Sequence, residues 1–247
     1  MKKIIVFDLD DTLALSKSAL DDEMSVLLVE LLKKKKVSII SGGDFPQFQK
    51  QVISRLSCPN ELLSNLVIFP VKGGAMYKFE NNDWQIIYSK AFTPEEKAKI
   101  IEAVNTVYNE VDFLSEEPFG ERLEDRNSEM TFSALGQNAP HDEKKNWDPD
   151  YTKRKTLEEK LKKLLPDFDV AIGGSTSIDI TPHGVNKAFA IRQIVDQLHY
   201  EIEEILFVGD SLFKDGNDYS VIQTGVETIA VKSVDETKNI IRGIITN

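Results

Sequence analysis

A single cysteine, Cys58, stands in a chain of 247 residues. No disulfide can form within it, and such sparing use of cysteine fits a reducing compartment. No apolar run approaches the ~20 residues that a membrane span requires. The basic start Met1-Lys2-Lys3 leads an apolar run that stops at Asp8, too short for a signal peptide, so a cytoplasmic location is expected. The three histidines, His141, His183 and His199, are too dispersed for a histidine metal site. Cations are in deficit, with 30 lysines and arginines against 41 acids and a net charge of −11, which argues against nucleic acid or an anionic membrane as partner. A local cationic pocket for a small phosphorylated ligand is not excluded by that balance. Internal repeats and low-complexity tracts are absent. A hydrophobic content of 41% with 29% charged residues is that of a globular chain with a real core.

What the chain does have is an unusual beginning, Lys3-Ile-Ile-Val-Phe-Asp8-Leu9-Asp10-Asp11-Thr12. A short β-branched run reads as a buried parallel strand, and ligands bind at strand ends in open α/β sheets. Crowding Asp8, Asp10 and Asp11 together is costly unless a cation or proton relieves the repulsion, and Mg²⁺ is the simplest candidate. Asp11 is expected to face solvent or to cap the next turn.

Strand and helix signals alternate through the first third. An amphipathic stretch over 22–32 ends in Lys33–Lys36, a run read as the end of a helix and not as a ligand patch. Strands are expected at 37–40 and 66–71, with Asp44 capping a helix that runs to about Leu56. The pattern then changes. A hairpin is predicted from 75–79 and 84–88, and Thr93-Pro94-Glu95-Glu96 is a capping box opening a helix to about Val111. Antiparallel strands are expected near 122–125 and 130–135, a loop over 137–149, a helix over 151–165, and short strands at 170–173 and 177–181. The last third returns to the first pattern, with helices at 187–198 and 234–245 and strands at 205–208 and 228–231. The fold class is therefore α/β, a doubly wound, Rossmann-like parallel core (1–82 and 186–247) with an inserted α+β domain (83–185) containing an antiparallel sheet.

Four short signals fall at the ends of the expected parallel strands. They are Asp8-x-Asp10-x-Thr12, Ser41-Gly42, Lys187, and Val208-Gly209-Asp210 followed by Asp215-Gly216-Asn217-Asp218. In this order they resemble the haloacid dehalogenase superfamily of phosphotransferases. The resemblance implies that Asp8 is a nucleophile forming an aspartyl phosphate and that Asp10 is the general acid and base. It further implies that Mg²⁺ is held by Asp8, the Asp10 backbone carbonyl and Asp210, and that Ser41, Gly42 and Lys187 bind the transferred phosphoryl group. The resemblance also implies that Asn217 and Asp218 orient the metal site and Lys187 from behind, with direct approach of either to the metal left open. Relatives often carry glycine at the position of Asp11. Asp215 is expected only to shape its loop.

The insertion resembles the superfamily's type-2b cap. Within it, Gly120–Asn127 with Phe132–Gly136, and Gly173-Gly-Ser-Thr-Ser177-Ile-Asp179-Ile-Thr-Pro-His183-Gly-Val-Asn-Lys187, are similar to eukaryotic-type phosphomannomutases. That similarity implies substrate contacts from Arg126, Asn127, Ser177 and Asp179, a sugar phosphate as substrate, and a homodimer formed through the cap. One departure stands out. Where that family ends the second cap strand with Ser-Pro-x-Gly-Arg, this chain has Ser133-Ala-Leu-Gly-Gln137, and Lys144 or Lys145 would have to supply the missing cation. Two readings result: a Mg²⁺-dependent phosphatase of a sugar phosphate, which Gln137 favours, and a phosphomannomutase. A non-catalytic phosphosugar-binding protein on the same fold is the remote third reading.

Overall fold

A computed structural model of the chain describes residues 2–114, 117–214 and 216–246. Asp215, assigned a loop-shaping part above, lies outside the described residues. The chain divides into two compact units, Met1–Ser89 with Val185–Asn247, and Lys90–Gly184.

The first unit is built on a seven-stranded sheet. In chain order it contains β1 (Ile4–Asp8), α1 (Asp22–Leu32), β2 (Lys36–Ile40), α2 (Phe45–Gln51), α3 (Asn60–Leu63), β3 (Leu66–Phe69), β4 (Ala75–Glu80) and β5 (Asp83–Ser89). The second unit contributes α4 (Pro94–Glu110), β6 (Leu123–Asp125), β7 (Met130–Ser133), α5 (His141–Trp147), α6 (Thr152–Leu164), β8 (Phe168–Ile172) and β9 (Ser177–Pro182). The chain then returns to the first unit with α7 (Lys187–Leu198), β10 (Ile205–Gly209), α8 (Tyr219–Ile222), β11 (Glu227–Ala230) and α9 (Val234–Thr246).

Strand order in the large sheet is β11-β10-β1-β2-β3-β4-β5. The pairings from β11 through β3 are parallel, and β4 and β5 are added antiparallel. β1 is uncharged up to its last residue because both its faces are covered. Ile5 and Phe7 pack with Met24, Leu28 and Leu31 of α1, whereas Ile4 and Val6 pack with Ile191 and Ile194 of α7. Chain order reverses at β1: β2 and β3 lie on one side, β10 and β11 on the other. Such a reversal leaves a crevice at the carboxyl ends of the strands.

The second unit is a four-stranded antiparallel sheet, order β6-β7-β9-β8. Met130 and Phe132 of β7 and Ile178 and Ile180 of β9 pack with Ile100, Val104 and Val107 of α4 and with Leu157 and Leu161 of α6. By strand alternation the other face carries Thr131, Ser133, Ser177 and Asp179. The Thr93–Glu96 capping box forms as expected, with both reciprocal bonds present.

Three expectations need correction. The hairpin at 75–89 belongs to the large sheet, because β4 pairs with β3, so the first boundary falls at 89/90 and not at 82/83; the second falls at 184/185 against an expected 185/186. The segment 137–149 is not all loop. α5 forms there with Asp142 and Glu143 in its first turn and Lys144 and Lys145 in its last, charges that complement the helix dipole. The helix begun by Asp44 stops at Gln51 and gives way to a 3-10 turn over Ile53–Arg55. The Lys33–Lys36 run serves the structure: Lys35 donates to Lys2 O (2.7 Å), Lys36 to Ser64 O (2.7 Å), and Lys33 pairs with Glu30 (2.6 Å). Among the described residues no helix is long and apolar enough to cross a membrane.

Candidate active site

Parallel register gathers the first set of residues. Asp8 is paired with Ile40, and Phe7 with Val208, so the residues that follow β2 and β10, Ser41 and Asp210, emerge beside the end of β1. Lys187 opens α7, whose N-cap Asn186 accepts from Phe189 N (3.1 Å). Its side chain is 2% exposed, and its ammonium donates to Asp8 Oδ1, to Asp218 Oδ1 (2.6 Å) and to Asn217 Oδ1 (3.1 Å). All three donors of the lysine are used.

The charges there do not balance. Asp8, Asp210 and Asp218 each bring a carboxylate oxygen within 4.8 Å of the others, and Lys187 is the cation bonded among them. Burial pushes the Asp8 carboxyl up to about 7, Asp218 adding to the rise while Lys187 opposes it. Burial pulls Lys187 down, but Asp8 and Asp218 more than offset this and leave it raised. Three hard oxygen ligands with one compensating cation form a donor set that fits a divalent cation.

Asp218, expected to orient the site or to approach the metal directly, is fully buried and belongs to the acidic cluster itself. Its Oδ2 accepts from Ser211 N (3.0 Å), and a side chain on Gly209 would run into its carboxylate, so a glycine lets the loop after β10 fold back. The Asp10 side chain is not part of the cluster. It accepts from Lys17 N (2.7 Å) and from Ser41 Oγ (3.3 Å), which aims it beside the phosphate-binding candidate Ser41. Asp11 is exposed, accepts from Ser16 N (3.1 Å) and has φ of 56°, a conformation that glycine adopts freely. Sequence reasoning passed over Lys72. Its backbone N donates to Ser41 O (2.8 Å), and its Cε lies 3.6 Å from where a Cβ on Gly42 would sit.

The residues expected to contact substrate from the insertion fall in two places. Arg126 Nη2 donates to Glu124 Oε2 (2.6 Å) and Nη1 to Glu129 Oε1 (3.2 Å), while Asp179 Oδ1 accepts from Thr131 Oγ1 (3.3 Å). Asn127 holds the turn between β6 and β7 at φ of 68°, its N–H bonded to Asp125 Oδ1 (2.8 Å). Ser177 Oγ accepts from Gly174 N (2.7 Å), closing the turn between β8 and β9. Gln137 donates through Nε2 to Thr131 O (3.2 Å), and Lys144 Nζ reaches Gln137 O (2.9 Å). Lys145 instead lines a cavity of about 650 Å³ with Tyr151, Arg154 and Gly173. His183 is a surface residue bonded to Asp169 (2.8 Å).

This arrangement has recognisable counterparts. The family model for eukaryotic phosphomannomutase matches residues 24–247. Phosphomannomutase 2 of Dictyostelium discoideum is 29% identical over 225 residues, covering 88% of this chain and 86% of that protein. The phosphomannomutase of Saccharomyces cerevisiae is 26% identical over 245 residues, covering 96% and 92%. Among solved structures, a haloacid dehalogenase-like hydrolase from Bacteroides thetaiotaomicron superposes with a TM-score of 0.65 at 18% identity, over 99% of this chain and 100% of that one, a likeness of fold. A buried aspartate at the end of β1, tied to a lysine and two further acids, is what a phosphoryl-transfer enzyme of that fold needs. The family match runs through both units to the last residue, and the chain belongs to the eukaryotic phosphomannomutase family.

Proposed function

We propose that the protein is a phosphomannomutase interconverting mannose 6-phosphate and mannose 1-phosphate. The observation that carries this reading is the family match across 24–247, which takes in the whole insertion as well as Lys187, Asp210 and Asp218. Asp8, Asp210 and Asp218 would hold Mg²⁺, which neutralises the carboxylates and supplies Lewis-acid stabilisation of phosphoryl charge. An oxygen of Asp8 attacks the phosphorus of a sugar bisphosphate, and the bond to the leaving sugar oxygen breaks as Asp10 gives that oxygen a proton. The aspartyl phosphate is then attacked by a hydroxyl of the monophosphate substrate. Asp10 takes the hydroxyl proton, the acyl–phosphate bond breaks, and the Asp8 carboxylate is restored. Ser41 and Lys187 bind the phosphoryl oxygens in transit. Arg126, Asn127, Ser177 and Asp179 contact the sugar, and the protein pairs as a homodimer through its inserted unit, a state that light scattering would register.

Hydrolysis is the second reading, favoured by Gln137, whose neutral amide is spent on a backbone carbonyl. In that case water replaces the sugar hydroxyl in the second step. Phosphorus NMR of the protein with Mg²⁺ and mannose 1-phosphate, with and without a trace of glucose 1,6-bisphosphate, separates the two. Mannose 6-phosphate is the expected product; free phosphate alone would assign the protein to hydrolysis.

A further inference from the structure

Lys72 has no part in the steps above, and the backbone around it is strained. Val71, Lys72 and Gly73, between β3 and β4, stand in succession at φ of 51°, 55° and 98°. Only the glycine adopts that region freely, and for a β-branched valine it is a genuine outlier. Surrounding bonds hold the turn there. Val71 N donates to Gly43 O (3.0 Å), Lys72 N to Ser41 O (2.8 Å), and Tyr88 Oη to Gly73 O (2.8 Å). Gly73 approaches α7 so closely that a Cβ on it would lie 2.8 Å from that of Ala190. Strain maintained by its surroundings in this way collects at functional sites. Here the strained turn sets the Lys72 side chain over Gly42. Its Cε lies 3.6 Å from where a Cβ on Gly42 would sit, and its ammonium is one bond further on.

The loop beneath it is the one read above as binding the transferred phosphoryl group. Ser41 Oγ accepts from Gly43 N (3.3 Å) and donates to Asp10 Oδ2 (3.3 Å), which sets the hydroxyl beside the candidate acid and base. Lys187, the cation assigned to the same group, has its three donors on Asp8, Asp218 and Asn217, and takes a phosphoryl oxygen only by releasing one of them. We infer that Lys72 is a second phosphate-binding cation of this site, holding an oxygen of the transferred group from the Gly42 side. The inference rests on the reading of Ser41 and Gly42 as the phosphoryl-binding loop. It also accounts for the strain: glycine or asparagine at position 72 would relax the turn, but neither carries a charge. Lys72 serves both half-reactions, whether a sugar hydroxyl or water completes the second, because the same phosphoryl group is held by Ser41 in each.

Orthophosphate, which carries the recognised group without the sugar, tests this apart from turnover. In calorimetric titrations of the Mg²⁺-loaded protein, Lys72→Asn and Lys72→Gly should bind it about tenfold more weakly, the loss of one charge-assisted contact. Lys72→Arg, which keeps the charge, should stay within about threefold of the wild type. Both neutral variants accept a left-handed backbone, so neither should melt below the wild type. Affinity lost while stability is kept is a pattern that a merely structural lysine does not produce. Ser41→Ala is the control for the underlying reading and should also weaken orthophosphate. If it does so while both neutral variants at position 72 bind as the wild type does, the inference falls alone. Melting below the wild type in both neutral variants would make Lys72 structural and overturn its role as well. If the wild type takes up no orthophosphate at millimolar concentration, or Ser41→Ala leaves the affinity unchanged, the phosphoryl-binding loop is misassigned and the inference falls with it.

Discussion

Each unit contains a cation shared among carboxylates, and the two clusters are built on opposite principles. In the first unit, adjacent parallel strands deliver Asp8 and Asp210 to one place whether or not their charges agree, and Lys187 and Asp218 close around them without access to water. In the second unit, antiparallel strands spread Glu124, Glu129 and Asp179 over a sheet face among hydroxyl groups, and Arg126 at 23% side-chain exposure stays partly in contact with solvent. The first arrangement concentrates charge until a metal and a phosphoryl group are the natural complement. The second disperses it into a surface suited to sugar hydroxyls. Charge density, set by strand direction, is what separates the two clusters.

The largest expected effect lies in the first cluster. Asp8→Asn should lower turnover by at least about 10⁴-fold, as loss of a nucleophile does. The melting temperature should hold or rise, because one of three crowded carboxylates has gone while Lys187 keeps Asp218. A variant that kept its activity would refute the aspartyl-phosphate route. Lys187→Ala goes the other way. It leaves buried acids without their cation, a loss of about 3–5 kcal/mol. Mg²⁺ should raise the melting temperature of this variant more than that of the wild type, since metal then becomes the only compensation among the three acids. Equal shifts in calorimetry would mean that the acids do not hold the metal together.

How much of this contrast was legible in the sequence follows from the same physics. The parallel core was readable because a strand buried on both faces is uncharged until it ends, and Asp8 and Asp210 stand where the apolar runs stop. Which of its two expected places Asp218 takes, behind the site or within the acidic cluster, was not. It depends on how the loop from Ser211 folds back over Gly209, which spacing does not encode. Alternation from Ala75 to Ser89 announced a hairpin but not which sheet it would join, and this moved the boundary to 89/90. α5 went unread because none of its residues is buried, so no apolar stripe marks it. Glu129, next to a turn, reads as a solvated acid until Arg126 and Thr131 are seen to close on it. The inclination towards a phosphatase rested on Gln137 alone; the family match across both units supports the mutase more strongly.

A third test asks whether burial alone, away from the two clusters, governs the strength of an ion pair. Arg154 of α6 is bonded to Asp148 through Nε (2.8 Å), with side-chain exposures of 6% and 0%. Burial pushes the Asp148 carboxyl up, but Arg154 and the N–H groups of Lys153 and Arg154 outweigh it and hold Asp148 below the usual carboxylate range. A depressed folded pKa contributes stability above the unfolded value of roughly 4 and loses it as pH falls through the folded value. Asp148→Asn should therefore cost about 3–5 kcal/mol near neutrality. The gap between wild type and variant should close as denaturation is followed to lower pH. A gap that stayed constant with pH would mean the carboxylate's charge is not what stabilises the unit.

The smallest effect belongs to an exposed pair on the same helix. Lys160 of α6 meets Glu110 at the end of α4 at 2.7 Å, a distance as short as that of the buried pair, but the two side chains are 34% and 49% exposed. Water already solvates both groups, and holding two long side chains in one geometry costs entropy, so Glu110→Gln should change stability by less than about 1 kcal/mol. Whatever effect remains should fade between low salt and 1 M salt, where the screening length falls to about 3 Å. The Asp148 effect, shielded from ions by burial, should persist over the same range. Because both pairs anchor α6 within one unit, the comparison holds the fold constant and varies exposure. If salt erased the Asp148 effect as readily as the Glu110 effect, burial would not be the variable that ranks them.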